Sequence, residues 1–279
     1  MTPEAAREEL AAWGRVPDQH FDAVAAALAL AAADDPESPF DDATLAFEQL
    51  AADAARLLAG NAPAAAGEAE ARAGLLATLL ASHGFAGDRA QYDDPANANL
   101  ARVLVQKRGM PVALGLVWIG LARRLDWMVA GVDFPGHFIV AIHGQDNALL
   151  CDPFDGGRPL TLAGLRALKE QTAGPGADLG QTDLAGMTDR AVVLRLANNL
   201  RVRRMKAEAF EAAYAITQDM RLLSPGSPGL MAAAGELAMR IGRPRAAILH
   251  LSEFVATGPA PDQLHAAEAM LDKARQSRN

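Results

Sequence analysis

His137, Cys151 and Asp152 are the residues in the middle of the chain whose side chains could do chemistry together. Two predicted strands flank the turn sequence Gly144-Gln145-Asp146-Asn147, so we predict a β-hairpin. If its loop is centred between Gly144 and Gln145, His137 lies opposite Asp152, and a centre one residue later moves this pairing by two positions. A carboxylate in that place can orient an imidazole and stabilise its charged form. The spacing is also compatible with a histidine that is only part of the core.

A catalytic triad also needs a nucleophile, usually a Cys at the start of a buried helix, where the helix dipole favours the thiolate. The apolar run Val112 to Ala122 predicts such a helix, but its start reads Gly109-Met110-Pro111-Val112-Ala113, without Cys, Ser or Thr. Cys151 is the only cysteine, and as the strand neighbour of Asp152 its side chain should point to the opposite face. We therefore expect an inert structural thiol and an incomplete triad.

The elements that must position these residues indicate an α+β fold. Residues 1 to about 90 are Ala-rich and read as helices, with breaks at 34–39 and 60–63. Pro111 suits the first turn of the apolar helix, because its missing N–H is not needed there. Three short extended segments follow, near Met128–Val132, His137–Ile142 and Ala148–Cys151. We predict a helical N-terminal part that packs on a small antiparallel sheet.

The last third of the chain is predicted to be an all-helical tail. Residues 171–190 are rich in Gly, Asp and Thr and read as a linker or exposed loop. Beyond residue 191 a weak repeat of 34 residues relates Ala213 to Ala247 and Pro225 to Pro259, as in tetratricopeptide-type helix pairs. The predicted division is therefore a core over 1–170, a linker over 171–190 and a tetratricopeptide-like tail over 191–279.

Composition excludes several classes of partner. The net charge of −8 and the pI near 5.3 argue against a nucleic acid or an anionic membrane, because both would repel the chain. The apolar run from Val112 to Ala122 has 11 residues, and a membrane span needs about 20. The N-terminus has no signal-like pattern, so we expect a cytoplasmic protein. One cysteine and six scattered histidines predict no metal site, and we expect no cofactor.

Seven segments between residues 92 and 157 form an ordered pattern. They are Tyr92-Asp93-Asp94-Pro95, Asn97-Ala98-Asn99-Leu100, Val103-Leu104, Arg108-Gly109-Met110-Pro111-Val112-Ala113-Leu114, Ala122-Arg123-Arg124-Leu125, Gly131-Val132-Asp133-Phe134-Pro135-Gly136-His137-Phe138 and Asp152-Pro153-Phe154-Asp155-Gly156-Gly157. This pattern resembles the transglutaminase-like core of the bacterial SirB-type family, and also a domain found in a eukaryotic F-box protein. Residues from about 40 to 160 match the core, and the tail matches the family's tetratricopeptide-like end.

The resemblance implies a papain-like α+β core with a vestigial catalytic pair. His137 takes the place of the triad histidine and Asp152 that of the triad acid. The usual Cys position falls at Pro111 or within two residues of it, and none of these residues can attack a carbonyl. Transglutaminase or protease activity is therefore in doubt, although the cleft itself is retained in this interpretation.

Two further groups of polar residues are candidates for binding. Asn99 and Arg108 flank the expected cleft and could contact a ligand, or they could serve as a helix cap and a surface ion pair. The cluster Arg201, Arg203, Arg204 and Lys206 could receive an acidic partner segment, or it could be a solvated helix face.

Three functional hypotheses follow from these residues. The first is a non-catalytic regulatory module that binds a protein or peptide partner through the degenerate cleft and the tail. The second is a hydrolase or amide-transfer enzyme in which His137 and Asp152 act as general base and orienting acid on water or on a substrate's own nucleophile. In the third, the pair only holds the hairpin.

Overall fold

A computed structural model describes residues 1–277 of the chain. It confirms the predicted α+β class with a helical tail. The N-terminal third is helical, with breaks close to the predicted ones, and consists of α1 (Pro3–Trp13), α2 (Ala23–Asp34), α3 (Phe40–Ala59), α4 (Ala62–Ala65) and α5 (Ala69–Ser82). Helix α2 is apolar around most of its circumference, and it is accordingly buried along most of its length.

The middle of the chain forms a central helix and a five-stranded antiparallel sheet. The two short strands β1 (Ala86–Gly87) and β2 (Arg108–Gly109) pair in parallel and form a separate two-stranded sheet. The other elements are α6 (Leu100–Gln106), α7 (Pro111–Arg124), β3 (Val129–Val132), β4 (Ile139–His143), β5 (Ala148–Asp152), β6 (Arg158–Pro159), α8 (Leu162–Ala173) and β7 (Gly186–Met187). The sheet order is β6-β5-β4-β3-β7. Helix α7 is buried from Pro111 to Ala122, as its apolar sequence predicts.

Strands β4 and β5 form the predicted hairpin, with a register shifted by two positions. The backbone N–H of Gly144 donates to the Asn147 carbonyl at 2.7 Å and closes the turn. Val140 pairs with Cys151, so the loop is centred one residue later than the symmetric prediction. The direct pairing of His137 with Asp152 is therefore wrong: His137 lies in the loop before β4, two residues ahead of its first residue.

The sheet packs on α7 through a close contact at Phe138. A Cβ atom at Gly115 of α7 would come within 2.2 Å of the Phe138 ring, and one at Gly131 of β3 would come within 2.8 Å of it. Phe138 is almost fully buried between these two glycines. Because Phe138 is the neighbour of His137, this packing fixes the loop that carries the histidine.

The region predicted as a linker differs from that prediction. Residues 186–187 form β7, which pairs with β3 at the edge of the core sheet. The next helix, α9 (Asp189–Lys206), buries Val192, Leu196 and Leu200 in the same hydrophobic core as α2 and α7. The core region therefore continues through α9, and the predicted boundary at residue 170 falls too early.

The tail consists of four further helices. They are α10 (Phe210–Leu223), α11 (Pro228–Arg240), α12 (Pro244–Ala256) and α13 (Pro261–Gln276). A second hydrophobic core lies between them, and Gly235 permits a close approach of α11 to Leu251 of α12, where a Cβ would meet that side chain at 2.6 Å. None of the helices in residues 1–277 is long and apolar enough to cross a membrane.

Candidate functional site

The structure brings His137 and Asp152 together. Nε2 of His137 donates to Oδ2 of Asp152 at 2.8 Å, and the imidazole is 22% exposed whereas the carboxylate is 5% exposed. The turn Pro135-Gly136 directs the chain toward β4, with Gly136 at φ +69° and the His137 N–H donating to the Phe134 carbonyl at 2.8 Å. The bond to Asp152 leaves Nδ1 as the nitrogen that could meet a ligand or a water molecule.

The Asp152 carboxylate is held from two directions. Its Oδ1 accepts the backbone N–H groups of Phe154 at 2.9 Å and Asp155 at 3.2 Å, and so caps the 3-10 turn Pro153–Asp155. Burial opposes ionisation, but the hydrogen bond and charge of His137, with the two backbone N–H groups, together hold the pKa of Asp152 below its ordinary value. The carboxylate is therefore ionised at neutral pH and orients the imidazole.

Cys151 stands apart from this pair. Its side chain is fully buried in the core that surrounds α7. Burial, with the negative charge of Asp152, raises the pKa of the Cys151 thiol to about 12. A thiol with this pKa is protonated at neutral pH and is not a nucleophile. Cys151 therefore does not replace the missing nucleophile.

The start of α7, where the resemblance implies a nucleophile, is closed to solvent. Met110 is the N-cap and Pro111 the first helical residue, and both are buried, as are Val112 and Ala113. The backbone N–H of Met110 donates to the Asn97 carbonyl at 3.0 Å, and no side chain caps the helix. Pro111 has no N–H, and neither it nor its neighbours carries a hydroxyl or thiol group.

Asn99 and Arg108 bond within the protein in the structure. Asn99 is buried at the N-cap of α6, where its Oδ1 accepts the Arg102 N–H at 3.0 Å and its Nδ2 donates to the Ser38 hydroxyl at 2.6 Å. Arg108 is exposed and donates to the Gly84 carbonyl. The Asn99 contacts match the alternative interpretation as a helix cap, but Arg108 bonds backbone carbonyl groups and forms no surface ion pair within the described residues. No hydrogen bond joins either side chain to His137 in this part of the chain. Their role in binding stays a prediction.

Helix α9 supplies residues near the site that the sequence did not assign to it. Arg195 donates to the His137 carbonyl at 3.3 Å and pairs with Asp133. Arg203 lies 3.8 Å from the Met110 sulfur and donates to the Tyr92 carbonyl at 3.3 Å. These two arginines are eight residues apart, about 12 Å along a helix, so one face of α9 spans from the His137 loop to the start of α7. Arg203 belonged to a recognised basic cluster, but only the fold reveals its position.

No metal arrangement is visible in this region. Across residues 1–277, no group of three or more His, Cys, Asp or Glu side chains is placed to hold a metal ion.

The fold, with the His137–Asp152 pair beside the buried helix α7, is that of a transglutaminase-like domain. The family model described as the transglutaminase-like superfamily matches residues 42–198. This match ends within α9, in agreement with the packing of that helix on the core. The chain therefore belongs to the transglutaminase-like superfamily, within its SirB-type family.

Individual relatives support this assignment. A UPF0162 protein of Xylella fastidiosa is 30% identical over 186 residues, which are 65% of this chain and 66% of that protein, just under two thirds of its length. A UPF0162 protein of Pseudomonas aeruginosa is 33% identical over 58% of each chain. Protein SirB1 of Salmonella typhimurium is 26% identical over 66% of this chain and 69% of its own. No solved structure matches the chain.

Proposed function

We propose that this protein is a non-catalytic regulatory module that binds a protein or peptide partner. The observation that carries the proposal is the state of the nucleophile position: Pro111 is buried at the start of α7 and offers no attacking group. The one thiol of the chain is buried elsewhere and protonated at neutral pH. Covalent acyl transfer therefore has neither a nucleophile at the start of α7 nor a reactive thiol to carry it.

A protein partner fits the rest of the molecule better than other ligands do. The net charge of −8 disfavours nucleic acid and anionic membrane surfaces. The helical tail packs its helices in sequence around its own core, with small residues such as Gly235 at the helix contacts. Stacked helical pairs form extended surfaces that repeat proteins use for recognition. A cytoplasmic location is part of this proposal.

The second candidate is an enzyme that uses the pair directly. The observation in its favour is the bond of 2.8 Å between His137 and Asp152, with the imidazole partly exposed and Nδ1 directed away from the carboxylate. In this mechanism His137 would accept a proton from water or from a substrate's nucleophile while Asp152 stabilises the imidazolium. The buried start of α7 disfavours it, because transition-state charge needs donors that face an open cleft.

An activity screen separates the two candidates. Purified protein is incubated with peptide, ester and amide substrates, with and without an amine acceptor, beside the His137→Ala variant. The non-catalytic proposal expects identical rates in both proteins, at the level of buffer alone. A rate that exceeds buffer and disappears in His137→Ala would establish the enzymatic candidate instead.

Partner capture tests the binding half of the proposal. The protein is used as bait in cell lysate beside a control in which exposed residues are permuted while the core is kept. Retention of a specific protein by the bait and not by the control is expected. If His137→Ala lowers the melting temperature without changing capture, the pair only holds the hairpin, and binding lies elsewhere on the molecule.

A further inference from the structure

Four side chains form a continuous row beside the His137–Asp152 pair. The Arg89 guanidinium lies 5.0 Å from the centre of the Phe154 ring, the Phe154 and Tyr92 rings meet edge to face at 5.9 Å, and the Arg203 guanidinium lies 5.9 Å from the Tyr92 ring. Tyr92 is 46% exposed, so one side of its ring is open to solvent. Phe154 connects these side chains to the His137–Asp152 pair, because its backbone N–H donates to the Asp152 carboxylate. We name these four residues the Arg89–Arg203 row.

Arg203 forms one long ion pair, with the exposed Asp93, and donates no hydrogen bond to a carboxylate within the described residues. Its side chain is only 18% exposed, yet its hydrogen bonds go to neutral groups, the Tyr92 carbonyl and the Met110 sulfur. The nearest carboxylate in the described part of the chain is that of Asp93, at 3.6 Å from Nε and 91% exposed. The Nε–H is buried and donates no hydrogen bond within residues 1–277. Charged groups removed from water are normally paired, because desolvation without a partner is costly.

Arg204, the next residue on the helix, differs from Arg203 because its guanidinium is fully paired with a carboxylate. It binds both carboxylate oxygens of Asp34 at 2.6 Å and also donates to the Ala212 carbonyl. Arg201 donates twice to Asn198 of its own helix. The basic cluster of the sequence is thus divided by the fold, and Arg203 is the member directed toward the site.

The other acidic residues around the row are already engaged. Asp155 is shared between Arg89 at 3.0 Å and Arg158 at 2.7 Å. Asp88 and Asp94 cap local turns through bonds to backbone N–H groups. The Arg203 guanidinium is therefore the group of the row that can still bind an oxyanion. The Tyr92 and Phe154 rings lie next to it.

We propose that the Arg89–Arg203 row is the docking surface for an acidic peptide segment, one carboxylate of which binds the Arg203 guanidinium. The planar fork of an arginine matches a carboxylate with two parallel hydrogen bonds. An apolar or aromatic side chain of the same segment packs on Tyr92 and Phe154. This protein is acidic and repels other anions at long range. A short acidic segment carries few negative charges and is repelled less than a nucleic acid, so it is the better candidate. This inference rests on the proposed peptide-binding function and names its partner class.

Fluorescence anisotropy with the full-length protein tests this surface. The probes are a labelled peptide of alternating glutamate and leucine, a matched peptide of glutamine and leucine, and a labelled single-stranded oligothymidylate. We expect the glutamate peptide to bind and the glutamine peptide to bind at least about tenfold more weakly, since a charge-assisted hydrogen bond is lost. Equal binding of both peptides, or tighter binding of the oligothymidylate, would overturn the inference.

Two arginine variants with the same change of charge locate the binding. Arg203→Gln should weaken the glutamate peptide about tenfold or more. Arg240→Gln is the matched control, because Arg240 also lies over an aromatic ring, that of Phe210 at 5.3 Å, and has one carboxylate partner, Glu236. The control should stay within about twofold of the wild type. Equal affinities of the two variants would contradict a site at Arg203.

A further variant keeps the test decisive if Arg203→Gln does not fold. Arg89→Gln alters an exposed end of the row and should weaken the glutamate peptide severalfold with an unchanged circular dichroism spectrum. An unchanged affinity in folded Arg89→Gln would remove the row from consideration. This outcome is separate from failure of the proposed function, which is read from substrate turnover and partner capture and does not depend on the peptide probe.

Discussion

Asp152 has two roles at the residue scale, and they are coupled through one carboxylate. One oxygen caps the 3-10 turn that follows β5, and the other binds the imidazole of His137. The turn thus fixes the carboxylate, and the carboxylate fixes the histidine. A pair with this internal support can exist for structural reasons alone, so its geometry by itself does not establish catalysis.

The charge of Asp152 should therefore contribute to stability in a pH-dependent way. Because the folded protein holds the pKa of Asp152 below its ordinary value, the unfolded chain binds the proton more readily, and the stabilisation is present above about pH 4 and lost as the pH falls through the folded-state pKa. Asp152→Asn should lower the free energy of unfolding by about 1–3 kcal/mol at pH 7. Urea unfolding of both proteins at pH 7, 5 and 3.5 measures this difference.

The difference between wild type and Asp152→Asn should shrink at the lowest pH. Asp272→Asn serves as the control, because Asp272 forms an exposed pair with Arg275 and should change stability by less than about 1 kcal/mol at any of these values. A difference for Asp152→Asn that is constant from pH 7 to 3.5 would mean that the carboxylate charge is not what stabilises the turn and the pair.

The sequence predicted the meeting of His137 and Asp152 because hairpin geometry is local. A turn of known type sets the register, and an error of one residue in its centre moves the partner by only two positions, still within reach of an imidazole. The arginines of α9 could not be found in this way. Arg195 is 58 residues beyond His137, and its place depends on the packing of Val192 and Leu196 in the core, which no local pattern encodes.

At the scale of elements, the fit between α7 and the sheet depends on Phe138 and the glycines that receive it. Gly115 lies inside a helix, where alanine would ordinarily be favoured by about 1 kcal/mol. A Cβ at this position would, however, approach the Phe138 ring to 2.2 Å. Steric overlap in a closely packed core outweighs helix propensity, because neither the buried ring nor α7 has room to move.

Gly115→Ala should therefore destabilise the protein by about 1–3 kcal/mol. Gly74→Ala in α5 is the matched control, since a Cβ there meets nothing within 4 Å, and it should be neutral or stabilising by up to about 1 kcal/mol. Chemical denaturation followed by circular dichroism gives both values. Two substitutions that change stability in the same direction by the same amount would show that Phe138 adapts and that the contact does not fix the His137 loop.

The elements that the sequence missed are those whose existence depends on a tertiary partner. Strand β7 has two residues in a stretch rich in Gly, Asp and Thr, and it is a strand only because the edge of β3 pairs with it. Helix α9 was predicted correctly as a helix, yet it was assigned to the tail. Its burial against α2 and α7 makes it part of the core instead.

At the scale of the whole molecule, helix α10 contributes to both the main core and the tail core. Its residues Ala213 and Tyr214 belong to the tail core, whereas Ile216 and Met220 belong to the main core. The predicted tail therefore does not stand apart as an independent unit. A helical array with few repeats buries too little surface on its own, and here it is completed by the domain that precedes it.

Arg190 at the start of α9 ties together the parts that meet at this junction. Its guanidinium donates to the Leu223 carbonyl at the end of α10 at 2.7 Å, to the Trp13 carbonyl at the end of α1 at 3.0 Å, and to the Val16 carbonyl. It also pairs with Asp18 at 2.7 Å. One largely buried side chain thus donates to three carbonyl groups from two distant segments at the junction.

Arg190→Met should lower the free energy of unfolding by about 2–4 kcal/mol, because charge-assisted bonds to three carbonyl groups are lost and methionine replaces only the aliphatic part. Arg243→Met is the control: Arg243 pairs with Glu211 at the surface of the tail, and its loss should cost less than about 1 kcal/mol. Unfolding is followed both by tryptophan fluorescence, which reports on the main core, and by circular dichroism, which reports on all helices. Since α10 belongs to both cores, Arg190→Met should move both transitions by the same amount. A shift in only one of them would show that the tail unfolds independently of the domain on which it packs.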